Sequence, residues 1–453
     1  MKKPYVPQAK DRLSVPQPKD KPAFPQVKDK VLAALQKLTS DKKGDPLAEF
    51  SRMSSSILSD VSHVLMIGNK VYDSITGAIP FGRIIEVYGI DASGKTALAK
   101  KAGIGAQLKN IYKRVVTFGS DSVKRTIYEK LDPEKIDTHV LYIDNEQSFS
   151  DDNSLTIEGI KADFILGRCD TIGQIFDAVE RVVKVVEESS KDSDREQFIL
   201  VVIDTIASTS TDGELTQEWG AQDFSRHAKE LRGAFRRMSR AINKHNVCLL
   251  CINQVSDSFA QKSKKNPNAL PDESDYSTFG GRALKFYASQ RILVQKVPKK
   301  FKLHPDNKLE DGLLIEMKTV KNRIKKPLRK GRMVLLFGDE DSAGGGFSEV
   351  YSMLETFIML DMAKDESGTI SFRFQANGVT PSTFESKRAN PSINARIEWP
   401  GFYNAHKVDF DALWAATEKK IFSSESHIDL LADDDDDDGM FGKKNKSDDE
   451  DLI

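Results

Sequence analysis

Between residues 82 and 296 the chain alternates short apolar, β-branched runs with longer stretches of helical spacing. The runs fall at 83–88, 138–143, 198–203, 247–252 and 290–294. Near-continuous apolar strands separated by helices predict a mainly parallel sheet covered on both faces, the α/β class. Ahead of this core, residues 31–38 have the apolar spacing of a short amphipathic helix, followed by polar connectors. Behind it, residues 344–427 read as a smaller unit of mixed helix and strand.

The two ends break the pattern. Residues 1–30 hold six of the 17 prolines and a nine-residue repeat, Pro-Gln-x-Lys-Asp-Lys/Arg, beginning at Pro7, Pro16 and Pro25. Such proline density predicts a disordered, extended arm that serves as a tether or carries a linear binding motif. Residues 429–453 carry 11 acidic side chains against three lysines. The other 428 residues hold 64 basic and 57 acidic side chains, so a net charge of -1 conceals a basic body with an acidic tail. That segregation suggests a polyanion-binding surface with a competitor on the same chain; alternatively, the tail only maintains solubility. Residues 296–332 concentrate 13 basic side chains against four acidic ones.

Length and composition narrow the class. At 453 residues the chain is long enough for two or three folded units. Three cysteines exclude a disulfide-stapled secreted scaffold and suit a reducing cytoplasm. No apolar run approaches the ~20 residues that span a bilayer, and the first residues lack a signal peptide's apolar stretch, so a cytoplasmic protein without a membrane partner is expected.

Residues 89–96 match the P-loop pattern GxxxxGK[ST], after a strand and before a helix expected to begin near Ala97. Gly89, Asp91, Ala92, Ser93 and Gly94 would wrap a phosphate with backbone amides at a helix N-terminus. Lys95 would reach the outer phosphates and Thr96 would hold Mg²⁺. The run at 198–203 delivers Asp204 at a strand end, where it would hold the metal's water shell. A third strand ends in Asp144-Asn145-Glu146; either carboxylate is a candidate to polarise an attacking water, and spacing does not choose. Asn253-Gln254 follows the run at 247–252 and either faces the same crevice or caps a turn. Cys248 and Cys251 form C-x-x-C, but residues i and i+3 of a strand face opposite sides, so core packing is expected. The polar stretches 208–223 and 255–277 interrupt the core. In the second, Lys262, Lys264 and Lys265 with Phe259 combine phosphate neutralisation with a ring that can stack on bases; the alternative is a merely solvated loop.

Residues 279–289 (Phe-Gly-Gly-Arg-Ala-Leu-Lys-Phe-Tyr-Ala-Ser), preceded by Cys251-Ile252-Asn253-Gln254, resemble the hallmark region of the RecA recombinases. So do residues 82–89 running into the P-loop, and Val320-Lys321-Asn322-Arg323-Ile324 downstream. Order and approximate spacing hold over residues 31–350. The resemblance implies an ATP- and Mg²⁺-dependent helical filament on single-stranded DNA that pairs it with a homologous duplex and exchanges strands, aided by single-strand-binding or loader proteins. It implies Glu146 as the residue activating water and Gln254 as the sensor of the terminal phosphate. Lys95, Thr96, Ala97 and Asp204 would then hold the nucleotide from one side, and Lys321 and Arg323 would reach a neighbour's ATP. Residues 208–223 and 255–278 match the two DNA-binding loops. Lys229 and Arg236 match two arginines near the DNA axis, and Gly280, Gly281 and Arg282 complete the expected DNA-binding set.

On this reading the chain divides into a disordered arm (1–30), a protomer-docking segment (31–75), a RecA-type ATPase core (76–335), a small C-terminal α/β domain (336–428) and a disordered acidic tail (429–453). Several positions depart from the family pattern. Lys229 and Arg323 exchange one basic type for the other. The chain is longer around 123–137 and in the second loop, and no tyrosine placed to stack on adenine follows Glu146. The N-terminal repeat is foreign to the pattern. These departures suit a bacteriophage or otherwise distant member. A RecA-core hexameric DNA motor and a non-catalytic architectural ATP-binding protein are the competing readings.

Overall fold

The computed structural model describes residues 61–118, 124–147, 165–211, 213, 224–257, 276–338, 345–384 and 391–423. The chain divides into Met1–Asp60 and Val61–Ile453, and every element below belongs to the second unit. The N-terminal arm, the helix expected at 31–38 and the acidic tail lie outside the described residues, as do most of both expected DNA loops, including Phe259, Lys262, Lys264 and Lys265.

The first half of the unit runs β1 (His63–Leu65), α1 (Lys70–Thr76), β2 (Ile79–Pro80), β3 (Ile84–Gly89), α2 (Lys95–Gln107), β4 (Ile111–Phe118), β5 (Lys124–Lys130), β6 (Ile136–Asp144) and β7 (Ile165–Gly167). Next come α3 (Ile172–Asp192), β8 (Glu196–Asp204), α4 (Phe224–Ile242), β9 (Val247–Asp257), β10 (Tyr276–Thr278), α5 (Arg282–Tyr287), β11 (Gln290–Lys296), β12 (Gly312–Asn322) and β13 (Lys330–Leu336). The chain closes with β14 (Gly346–Ser348), α6 (Glu349–Met359), β15 (Ala363–Glu366), β16 (Thr369–Phe372), β17 (Ser392–Ile393), α7 (Trp399–Ala405) and α8 (Lys407–Ser423).

Ten strands form one sheet in the order β14-β13-β12-β11-β3-β9-β8-β6-β7, with β10 paired to β9. The six strands from β11 to β7 are parallel; β12, β13 and β14 extend the edge antiparallel. All six residues of β3 are buried, as a strand covered on both faces requires. Alternation divides the core. Ile85, Val87, Leu250 and Ile252 pack with Leu98, Ala99 and Ala102 of α2, while Ile84, Leu249 and Cys251 pack with Val179 of α3, Phe235 of α4 and Leu284 of α5. Cys248 and Cys251 accordingly fall in different clusters, each wholly buried. This is the α/β core, with a mainly parallel sheet covered on both faces, that the apolar runs predict.

Two elements differ from the sequence expectation. Helix α2 starts at Lys95 rather than near Ala97, because Gly94 supplies the left-handed turn (φ 92°) that lets the helix begin at once. Strand β9 runs five residues past the apolar segment at 247–252. Antiparallel pairing of Val255, Ser256 and Asp257 with Thr278, Ser277 and Tyr276 supplies the hydrogen bonds that apolarity does not advertise. The second expected DNA loop therefore begins as a hairpin stem.

The extra length around 123–137 contributes the β4–β5 hairpin, which joins β1 and β2 in a separate four-stranded sheet of order β2-β1-β4-β5. Its Tyr112 and Tyr128 pack with buried Val61, Val64, Ala78 and Ile324. Towards the C-terminus, β13 and β14 carry the main sheet's edge past residue 335, and a three-stranded sheet, β15-β16-β17, follows. Phe372 stacks on Trp399 with ring centroids 5.2 Å apart, and Phe410 meets both rings edge-on. Three ionic contacts clasp this region. Arg396 donates to Glu355 (2.6 Å) and Asp365 (2.8 Å), and Lys299 from the β11–β12 connection donates to Asp365 (2.8 Å).

Candidate functional site

The P-loop leaves the sheet at Gly89, in the middle of the parallel strands and paired with Gln254 of β9. A Cβ at Gly89 would collide with the Val294 carbonyl, so only glycine lets the chain turn there. A Cβ at Gly94 would sit 2.5 Å from Ile315 Cδ1. Ala92 adopts a positive φ of 55°, shaping the loop between Asp91 and Ser93. Ser93 is wholly buried and its Oγ has no hydrogen-bond partner, a spare polar atom inside the loop. Lys95 is buried at the start of α2, followed by Thr96 and Ala97, and its ammonium donates to the carbonyls of Gly89 (3.0 Å) and Ile90 (2.7 Å). Burial lowers its pKa, while the carboxylates of Asp91, Glu146 and Asp204 pull the other way.

Asp204 ends β8 and is wholly buried. Its Oδ2 accepts from the Tyr142 hydroxyl at 2.6 Å, while Oδ1 is buried without a hydrogen-bond partner. Burial raises its pKa, opposed by hydrogen bonds from Tyr142 and Thr96. A carboxylate with an unsatisfied oxygen beside a P-loop threonine fits Mg²⁺ held through Thr96 and Asp204 together with nucleotide oxygens.

Glu146 lies beyond the end of β6, where its backbone N–H and that of Asn145 bind the Asp204 carbonyl at 3.3 and 2.7 Å. Its Oε1 accepts from Gln254 Nε2 at 2.6 Å. Burial and the Asp204 charge raise its pKa, against Lys95 and Gln254. Asp144, the other candidate carboxylate, is buried in register with Asp204. Gln254 and Asn253 do not face one crevice. Strand alternation turns Asn253 to the opposite side, where Nδ2 donates to Glu86 Oε1 (2.9 Å) and the Phe279 carbonyl (3.0 Å).

Lys321 and Arg323 are not brought to the P-loop of their own chain. Lys321 pairs in register with Arg291, and Arg291 with Glu86, so it stands three residues of strand, roughly 10 Å, below Gly89. Its Nζ donates to the Lys285 and Phe286 carbonyls (2.7 and 3.0 Å) at the end of α5. Burial, then the charges of Arg323 and Arg291, lower its pKa to about 8, with Glu86 opposing. Arg323 N–H binds the Ser289 carbonyl at 3.0 Å.

On the far side of β9, Lys229 and Arg236 are exposed on α4. The turn into α5 uses Gly280 (φ 78°) and Gly281 (φ 62°); a Cβ on the former would press on Leu231, and one on the latter would touch Ala228, both of α4. Arg282, the first residue of α5, thus lies beside the Lys229 end of that helix. The Phe279 N–H reaches back to the Gln254 carbonyl (3.4 Å).

Sequence reasoning missed Tyr142 and the Glu86–Arg291 ion pair (2.5 Å). The available signal was Glu86, flanked by apolar residues inside the run at 83–88, and Arg291, a charged residue inside the run at 290–294.

A profile of the RecA N-terminal domain matches residues 111–342. The chain belongs to the RecA family. RecA of Porphyromonas gingivalis is 28% identical over 297 residues, covering 65% of this chain and 71% of that protein. RecA of Borrelia duttonii is 26% identical over 288 residues, 64% of each chain, and that of Wolinella succinogenes 25% over 303 residues, 65% of this chain and 68% of that protein. The span matched to the RecA domain takes in Glu146, Asp204, Gln254, Lys321 and Arg323; the P-loop precedes it. Among the described residues no helix is long and apolar enough to cross a membrane.

Proposed function

We propose that this RecA-family chain is an ATP-dependent DNA recombinase that assembles as a helical filament on single-stranded DNA and exchanges strands with a homologous duplex. The observation carrying this reading is the Gln254–Glu146 contact. It links the phosphate side of the sheet to the strand that continues into the β9–β10 stem.

ATP would lie against the P-loop amides, with Lys95 released from the Gly89 and Ile90 carbonyls to meet the outer phosphates. Mg²⁺ held through Thr96 and Asp204 supplies charge neutralisation at those phosphates. Glu146, with its raised pKa, orients and polarises the attacking water. Gln254 exchanges Glu146 for the terminal phosphate, and the shift passes along β9 to the loop between Asp257 and Tyr276. Lys321 and Arg323 would meet the ATP of an adjacent protomer, so hydrolysis to ADP removes both the γ-phosphate and part of what holds neighbours together. Single-stranded DNA would lie over Lys229, Arg236, the turn at Gly280, Gly281 and Arg282, and loop residues Phe259, Lys262, Lys264 and Lys265. The setting is the cytoplasm of a bacterial or phage-infected cell, with single-strand-binding or loader proteins as partners.

The test is strand exchange between homologous DNAs with ATP, ADP or a slowly hydrolysed analogue, with negative-stain images of each state. Helical filaments and joint molecules only in the triphosphate states are expected. Closed rings that unwind duplex would establish the hexameric motor instead, and assembly without DNA-stimulated hydrolysis would establish an architectural role.

A further inference from the structure

A line of polar side chains crosses the face of the sheet that is otherwise filled by Ile84, Leu249 and Cys251. Asn253 of β9 donates to Glu86 of β3 at 2.9 Å, and Arg291 Nε of β11 donates to the other Glu86 oxygen at 2.5 Å. Arg291 is in turn the register partner of Lys321 on β12. Glu86 and Asn253 are 0% exposed and Arg291 3%, with its guanidinium 4.6 Å from the Tyr88 ring centroid. Both ends of the line terminate on one short segment: Asn253 on the Phe279 carbonyl, just before α5, and Lys321 on the Lys285 and Phe286 carbonyls, at its end.

Stability does not explain such a line, because a buried ion pair gains little over well-packed apolar side chains of the same volume. Its links at Glu86 and at the 279–287 segment are discrete hydrogen bonds, made or broken, while Arg291 and Lys321 meet as neighbouring like charges, and its ends lie where two nucleotides would act. Gln254, adjacent to Asn253, points to the chain's own P-loop side. Lys321 must leave the α5 carbonyls to meet any phosphate. We infer that Glu86 and Arg291 are positioning residues coupling the two nucleotide sites a protomer touches, its own through β9 and its neighbour's through β12. This inference rests on the filament reading above. Withdrawal of Gln254 towards a γ-phosphate moves Asn253 and loosens its hold on Glu86. Departure of Lys321 removes the donor from the end of α5 and a like charge from beside Arg291. The segment 279–287, which also carries Gly280, Gly281 and Arg282, responds to both events.

The test compares full-length protein with its Glu86→Gln, Arg291→Gln and double variants, measuring DNA-stimulated ATP hydrolysis against ATP concentration. The double variant leaves no uncompensated buried charge, so it reports even where a single variant folds poorly. The unaltered protein is expected to respond cooperatively. The variants should fall to a Hill coefficient of about 1, with binding of a fluorescent ATP analogue to DNA-free protein held within about twofold. The pH profile adds a readout that packing would not move. The charged groups facing Lys321 are Arg323, Arg291 on β11 and Glu86 on β3. Removing the anion should shift the alkaline limb of the activity down, and removing the cation should shift it up. Undiminished cooperativity in the double variant, or limbs that do not separate, overturns the inference. DNA-stimulated but non-cooperative hydrolysis by the unaltered protein overturns it too while leaving the recombinase reading standing. Absence of DNA stimulation in the unaltered protein would sink that reading first.

Discussion

At the scale of single residues, burial sets the chemistry. Glu146 keeps a raised pKa because partial desolvation and the neighbouring Asp204 charge both disfavour its ionised form, so it loses its basic form at a higher pH than an ordinary glutamate. The acid limb of ATP hydrolysis should therefore lie above the usual glutamate range. Replacing Glu146 with Gln should lower kcat by roughly 10²–10⁴-fold with nucleotide binding preserved, as single-turnover and equilibrium binding assays would show. Loss of affinity with an unchanged rate would contradict the assignment. Asp73 offers a separate check on the fold. Its carboxylate accepts from the Ile67 and Asn69 N–H groups, but desolvation in its partly buried position pushes its pKa up to about 7. A folded pKa above the unfolded 3.8 means the folded state binds the proton more tightly, so this site's contribution to stability declines from about pH 4 to pH 7. Thermal melts of Asp73→Asn across that interval should show a flatter pH dependence than the unaltered protein. Which of these residues the sequence revealed follows from chemistry. The P-loop glycines, Lys95 and Asp204 stand out in the sequence because the roles proposed for them demand particular residue types at particular spacings. Asn253 was misplaced because a dipeptide does not reveal that its two side chains leave a strand in opposite directions unless the strand is known to continue.

Secondary-structure elements tell the same story at larger size. The five central strands were legible because both faces are covered, which forces near-continuous apolar sequence. Strands β4 and β5 were not, since one side of that hairpin stays open and charges such as Lys113, Glu129 and Lys130 interrupt the pattern. The β9–β10 stem was hidden for a different reason: its pairing joins residues about 20 positions apart across a polar stretch, and local periodicity carries no trace of it. Because this stem joins Gln254 to the loop, Ser277→Pro, which removes a backbone donor from β10, should uncouple them. The gain in single-stranded DNA affinity on adding ATP should shrink by about tenfold with little change in melting temperature, as fluorescence anisotropy and calorimetry would report. The clasp at Asp365 is a second element-level device. Although burial opposes it, hydrogen bonds from Lys299 and Arg396 hold this carboxyl down at about 2. Its stabilising effect is fully present above pH 3.8 and disappears as pH falls towards 2. Asp365→Asn should cost about 2 kcal/mol at neutral pH in denaturant unfolding, and a variant as stable as the original would refute the clasp.

Considered whole, the molecule sets a basic body against an acidic C-terminus. On the proposed recombinase reading, a tail of net charge -8 would compete with DNA phosphates for the same cations, and salt would screen that competition. Removing residues 429–453 should accelerate association with duplex DNA at low salt, measured by stopped-flow fluorescence, and have less effect as salt rises. Equal rates at every salt concentration would exclude tail competition.

The separation of Lys321 and Arg323 from Gly89 has a further consequence. If each protomer borrows cations from the next, a finite polymer ends asymmetrically: one terminal subunit offers basic residues with no phosphate to meet, and the other holds a triphosphate lacking its outer clamp. Subunit loss and addition would then proceed at different rates at the two tips, giving the assembly an intrinsic direction written into the geometry of a single sheet.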